Sequence, residues 1–225
     1  MSTFEPHKEI LAPAQLAVWE SFRGLPAGFV LYDGTALAMR LGHRVSVDFD
    51  FFSNRPFLPG ELEAQIPWLA GTQRLQSAPN TLTCLVDQAA PVKISFFGNL
   101  KLGRVGRPEH PAGSGIWVAS LLDLAATKVK AVQDRAEAKD YIDVAALLEQ
   151  GITLSRGLGA AQAIYGEKFN PMLSLKALSF FDDGDLPALD RTIRDRLLEA
   201  VRTTDIPEII VPPLLGGGVA GEDRA

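Results

Sequence analysis

The chain has 225 residues, 47% of them hydrophobic and 22% charged, with a formal net charge of −5 and one cysteine. That is enough apolar material for a sizeable core. The acidic balance argues against a protein that coats nucleic acid non-specifically, and the lone Cys84 excludes an intramolecular disulfide and suits a reducing cytoplasm.

Near the N-terminus, Glu5, His7, Lys8 and Glu9 stand where an export signal would be apolar, and no later run reaches the ~18 apolar residues of a membrane span. Neither export nor membrane insertion is expected. Leu16, Val18, Trp19 and Phe22 make a helical stripe that stops at Gly24 and Pro26. Phe29, Val30, Leu31 and Tyr32 form a short apolar strand, Asp33-Gly34 a tight turn, and residues 36–41 a helix ended by Gly42. From Val45, apolar residues at 45, 47, 49 and 51 alternate with Ser46, Asp48 and Asp50, which predicts a strand with both carboxylates on one face.

A short helix limited by Pro67 is expected over 61–69, then strands at 81–87 and 92–97 joined as a hairpin through residues 88–91. Residues 98–115, rich in Gly and Pro, read as loop, with Lys101, Arg104 and Arg107 as a basic stretch. Ser120 with Asp123 is a capping-box pattern for a helix to about 132, and a second helix runs from about 136 to 148. Further helices are expected around 160–164, 173–181 and 189–201, and a loose tail from 206. The fold class is α+β (α/β): a small mixed sheet with flanking helices over residues 1–115, a helical region over 116–205, and a flexible tail over 206–225.

The chemistry concentrates at the strand–turn–helix. A helix N-terminus presents unpaired N–H groups and a positive dipole end, so Gly34 and Thr35 are placed to receive a phosphate. Asp48 and Asp50 point the same way from the next strand, at a cost in repulsion that a cation would relieve. Hard oxygen ligands suit Mg²⁺ or Mn²⁺ carried with a nucleotide. Taken alone, an Asp-x-Asp pair reads equally well as a solvated edge; the upstream Gly-Thr turn favours a site. Arg40, His43 and Arg44 lie around the turn, where contact with nucleotide competes with an ordinary solvated loop. Lys139 and Asp143, four apart, read as a surface ion pair, and Asp140 and Lys128 as solvated charges.

The stretch from Gly34-Thr35 through Val47-Asp48-Phe49-Asp50-Phe51-Phe52-Ser53 resembles the signature of the AbiEii-type nucleotidyltransferase toxins of the DNA polymerase β-like superfamily. Lys128, Arg135 and Lys139-Asp140-Tyr141-Ile142-Asp143 are similar to that family's helical motifs, so the likeness covers residues 28–150. It implies a nucleotidyltransferase-type sheet and an enzyme that moves a nucleoside monophosphate from an NTP to a hydroxyl of RNA, such as tRNA, or of protein, in a toxin–antitoxin or abortive-infection system with a cognate antitoxin. It assigns Gly34, Thr35 and Lys128 to the nucleotide, Asp48 and Asp50 to the metal, and Asp48, Asp50, Lys128 and Asp143 to catalysis; Arg44, from its place beside the turn, is a further nucleotide-binding candidate. Two departures stand out. Asp33 replaces a common glycine, and Ser95 stands where a third carboxylate is expected, which leaves a catalytically degenerate nucleotide-binding or regulatory module as the alternative.

Overall fold

In a computed structural model of the chain, residues 3–87 and 90–220 are described. Part of the hairpin turn expected at 88–91, and residues 221–225 of the expected tail, lie outside the described residues. The described residues fall into two compact units, one formed by residues up to 102 with 107–120 and those from 216, the other by 103–106 with 121–215.

The first unit is a mixed sheet with helices. Its elements are β1 (Thr3–Phe4), α1 (Pro13–Ser21), β2 (Val30–Tyr32), α2 (Asp33–Leu41), β3 (Phe49–Phe52), α3 (Pro59–Gln65), β4 (Gln73–Ala78), β5 (Thr81–Asp87), β6 (Pro91–Phe97), β7 (His110–Pro111) and β8 (Trp117–Val118). The main sheet runs β4-β5-β6-β3-β2-β8, with β3 antiparallel to β2 but parallel to β6; β1 and β7 form a separate parallel pair. The alternation read from the sequence sorts the two faces. Phe49, Phe51, Ile94 and Phe96 are fully buried, and Phe22 meets Phe49 and Phe51 edge-on at 4.8 and 5.1 Å. Asp50, Phe52, Lys93, Ser95 and Phe97 share the opposite face.

Two expectations change here. The strand predicted from Val45 starts only at Phe49, and Val45 and Val47 stand in the open in irregular chain. The neighbouring pairs Phe51-Phe52 and Phe96-Phe97, whose apolar side chains alone would suit a core, split: Phe51 and Phe96 are core, while Phe52 and Phe97 are half-buried on the carboxylate face, where Tyr32 stacks on Phe52 at 4.8 Å.

The second unit is helical, with α4 (Leu121–Asp134), α5 (Ala138–Glu149), α6 (Leu154–Tyr165), α7 (Pro171–Ala177) and α8 (Arg191–Arg202). They enclose a core that includes Val129, Tyr141, Leu158, Leu178 and Leu197. Asp123, expected as a capping-box partner, uses its carboxylate to accept from the backbone N–H groups of Val105 (2.7 Å) and Gly106 (3.1 Å). The residue before them, Arg104, is 2% exposed and its carbonyl accepts from the Leu215 N–H at 2.8 Å. The expected basic loop therefore loses its middle member to the interior.

Candidate active site

The turn and the carboxylates meet because of strand register. Tyr32, the last residue of β2, lies directly opposite Asp50 on β3, and the next three residues are Asp33, Gly34 and Thr35 at the start of α2. Asp33 has φ +59. A left-handed backbone favours glycine and, among side-chain residues, Asp and Asn, which explains both the usual glycine and the tolerated aspartate here. At Gly34 an added Cβ would lie 2.6 Å from Arg44 Nη2 and 3.1 Å from Ser46 Oγ. The Arg44 guanidinium thus lies over the turn, and only glycine lets it approach so closely.

Thr35 is 2% exposed and its hydroxyl donates to the backbone carbonyl of Asp48. Its oxygen lies 2.8 Å from Ser46 Oγ; with one hydrogen already committed, Thr35 is the acceptor from Ser46. Gln15, 3% exposed, closes the same segment from the other side. Its amide nitrogen donates to the Ser46 carbonyl (2.8 Å) and its amide oxygen accepts from Ala12 N–H (3.0 Å). Ser46, Val47 and Asp48 have no ladder of their own, so these side-chain bonds take its place.

Lys93 Nζ stands 2.7 Å from Asp48 Oδ2, and Ser95 pairs in register with Asp50. Burial raises the Asp50 carboxyl above the usual aspartate range, the charges of Asp33 and Asp48 add to this, and a hydrogen bond from Ser95 and the charge of Lys93 oppose it. The Lys93 ammonium is raised by its bond to Asp48, against some desolvation, with further help from the charges of Asp48, Asp50 and Asp33. The charge of Asp33 is thus felt at both Asp50 and Lys93. Asp48 and Asp50 supply hard carboxylate oxygens, the donor type that Mg²⁺ or Mn²⁺ takes together with substrate phosphates. Among the described residues no cluster of three or more His, Cys, Asp or Glu would hold a metal unaided.

Sequence reasoning passed over Lys93 and Gln15. Lys93 was discoverable: it sits two residues before Ser95 on a parallel neighbour, as Asp48 sits two before Asp50. Gln15 carried no signal, since its partner is a backbone carbonyl 31 residues away. Arg40, weighed as a nucleotide contact, is structural. It bonds Glu109 at 2.6 Å and the Ala119 carbonyl at 2.8 Å, and lies over the Phe4 ring.

In the helical unit the second motif forms a buried ion network. Lys128 Nζ contacts Asp140 Oδ1 and Asp143 Oδ2, each at 2.9 Å, with all three side chains at most 1% exposed. Arg135 Nε donates to Asp140 Oδ2 at 2.6 Å. Two cations and two anions balance, the condition under which such groups survive burial. This corrects the surface readings of Lys128 and Asp140, and of a Lys139–Asp143 pair: Lys139 pairs instead with Glu137 at 2.7 Å.

The family described as Nucleotidyl transferase AbiEii toxin, Type IV TA system, matches residues 17–209. The chain belongs to that AbiEii family. An uncharacterized protein of Aquifex aeolicus (strain VF5) is 36% identical over 123 residues, 54% of this AbiEii chain and 58% of the relative's length. The AbiEii chain thus spans little more than half of that relative. Among solved structures, MenT4, a nucleotidyltransferase toxin from Mycobacterium tuberculosis H37Rv, is similar with TM-score 0.59 and 14% identity, over 86% of this chain and 84% of that one. A protein from H. pylori, described as a candidate nucleotidyltransferase, gives TM-score 0.51 and 17% identity over 87% and 90%. These likenesses show the α+β nucleotidyltransferase fold for this AbiEii chain, and among the described residues no helix is long and apolar enough to cross a membrane.

Proposed function

We propose that this AbiEii-family chain is a metal-dependent nucleotidyltransferase that transfers a nucleoside monophosphate from an NTP to a hydroxyl of RNA, such as tRNA, or of protein, with pyrophosphate leaving. The observation that carries the reading is the register of Tyr32 with Asp50, which brings a helix N-terminus and two carboxylates to one corner of the sheet. There, the first N–H groups of the helix and the Arg44 guanidinium receive phosphate oxygens. Asp48 and Asp50 would hold Mg²⁺ or Mn²⁺, which supplies positive charge against the triphosphate. The backbone of Gly34 allows the close approach, and Thr35 fixes the corner from within. For Lys128 and Asp143 we propose a positioning role within the helical unit, through their buried ion network.

The family's toxin–antitoxin context supports a cognate antitoxin as genetic partner, and a cytoplasmic setting agrees with the lone buried Cys84. One observation favours a second reading. Ser95 is the residue in register with Asp50, and a serine accepts no proton from an attacking hydroxyl at neutral pH; a nucleotide-binding module without transfer activity would keep the seat and lack the base. The test is transfer of label from each of the four α-labelled NTPs to total tRNA and to protein with Mg²⁺ or Mn²⁺, beside Asp48→Ala. Label transferred by the wild type and lost in the variant supports the enzyme. Nucleotide binding with no transfer to either acceptor supports the module.

A further inference from the structure

This inference rests on the reading of Asp48 and Asp50 as metal ligands. We propose that Lys93 is the resident counter-ion of Asp48, an internal cation that a divalent metal ion must displace, so that Lys93 sets how tightly the site takes up metal.

Parallel pairing aligns Asp50 with Ser95 and Phe49 with Ile94, which puts Asp48, just before β3 begins, beside Lys93 within β6. The ammonium lies 2.7 Å from Asp48 Oδ2, and the charges of Asp50 and Asp33 act on it as well. A carboxylate oxygen engaged by an ammonium has less to offer a metal ion, and two cations on one carboxylate repel. The ammonium can leave without disturbing the fold: the Lys93 side chain is 40% exposed and that of Asp48 35%, and a lysine stem swings freely once its tip is in water. Solvent-exposed ion pairs are worth about 1 kcal/mol or less, so the lock is one that a divalent ion can open.

The experiment is Mn²⁺ titration of the full chain without nucleotide, read by the loss of the free-ion EPR signal at fixed ionic strength, for wild type, Lys93→Met, Lys93→Gln and Asp48→Asn. Both lysine variants are expected to bind Mn²⁺ about fivefold more tightly than wild type, the scale an exposed ion pair sets, and Asp48→Asn to bind it more weakly. If the lysine variants match or fall below wild type while Asp48→Asn still weakens binding, the counter-ion role is overturned and the metal site stands. If Asp48→Asn leaves Mn²⁺ affinity unchanged, the carboxylate reading fails and the proposal with it.

Discussion

The hydroxyl of Thr35 donates to the backbone carbonyl of Asp48. The helix start that would seat a phosphate and the segment that carries a carboxylate are therefore tied by a bond that uses no substrate. Thr35→Val keeps the shape and removes the donor, leaving a buried carbonyl without its partner, at a cost of about 1–3 kcal/mol. Thr35→Ser retains the hydroxyl and should fall much closer to wild type. Urea midpoints measure the stability, and nucleotidyl transfer under conditions where both variants are folded should drop in the valine variant well beyond the serine one.

Gln15 holds the same segment by its amide. In Gln15→Leu two hydrogen bonds go and the Ser46 carbonyl is stranded, for an expected loss of about 1–3 kcal/mol. If Gln15 only stabilised the fold, the Mn²⁺ concentration for half-maximal transfer by the folded variant would match wild type. We expect instead that the variant needs more Mn²⁺ for half-maximal transfer.

Asp50 should show a trade between function and stability. Its folded pKa is raised by burial and by Asp33 and Asp48, so ionising it costs more in the folded than in the unfolded chain. That cost is absent at acid pH below the ordinary aspartate range and is incurred as pH rises through the elevated pKa. In EDTA at pH 7, Asp50→Asn should be at least as stable as wild type, with the advantage vanishing near about pH 3, below the ordinary aspartate pKa, while transfer activity is lost. An Asp50→Asn protein that is less stable at pH 7 than at pH 3, relative to wild type, contradicts this.

Asp140 titrates in the opposite sense. Burial pushes its carboxyl up, but the bonds from Arg135 and Lys128 outweigh that and hold it below the usual value. Its contribution is present above the unfolded pKa and is lost as pH falls through the depressed folded one. Wild type should lose stability on acidification below about pH 4, and Asp140→Asn should lose less. At neutral pH the variant leaves Lys128 and Arg135 short of an anion, at a cost of about 3–5 kcal/mol.

Gly34→Ala tests the seat itself. The new methyl would meet the Arg44 guanidinium and the Ser46 hydroxyl, and the tip of an arginine moves aside cheaply. The fold should survive with a small change in melting temperature, while the KM for NTP rises because the guanidinium is displaced from the turn. An unchanged KM would remove Arg44 from the phosphate site.

Much of this was legible in the sequence where a period or a turn carried the information. The strand–turn–helix at 30–41 and the hairpin of β5 and β6 appear as their residue patterns require. The pattern misled where it outran the backbone, since Val45 and Val47 keep the strand alternation with no strand partner to pair with. Strand β4 gave no signal because its six residues, Gln73 to Ala78, are all exposed, so neither face selects apolar side chains. Lys128 and Asp140 looked like solvent charges because ion pairing in the interior leaves no trace in hydropathy; only the summed charge of the four partners explains their burial.

The backbone at Asp33 acts as a filter on drift. With φ +59, a β-branched or bulky side chain there would strain the turn by about 1–2 kcal/mol, so the alternatives that keep the corner intact reduce to glycine and asparagine. Both delete a negative charge beside Asp50. Descendants of this sequence can thus vary the electrostatics of the corner by one whole charge while its geometry stays fixed, a tuning position one substitution deep.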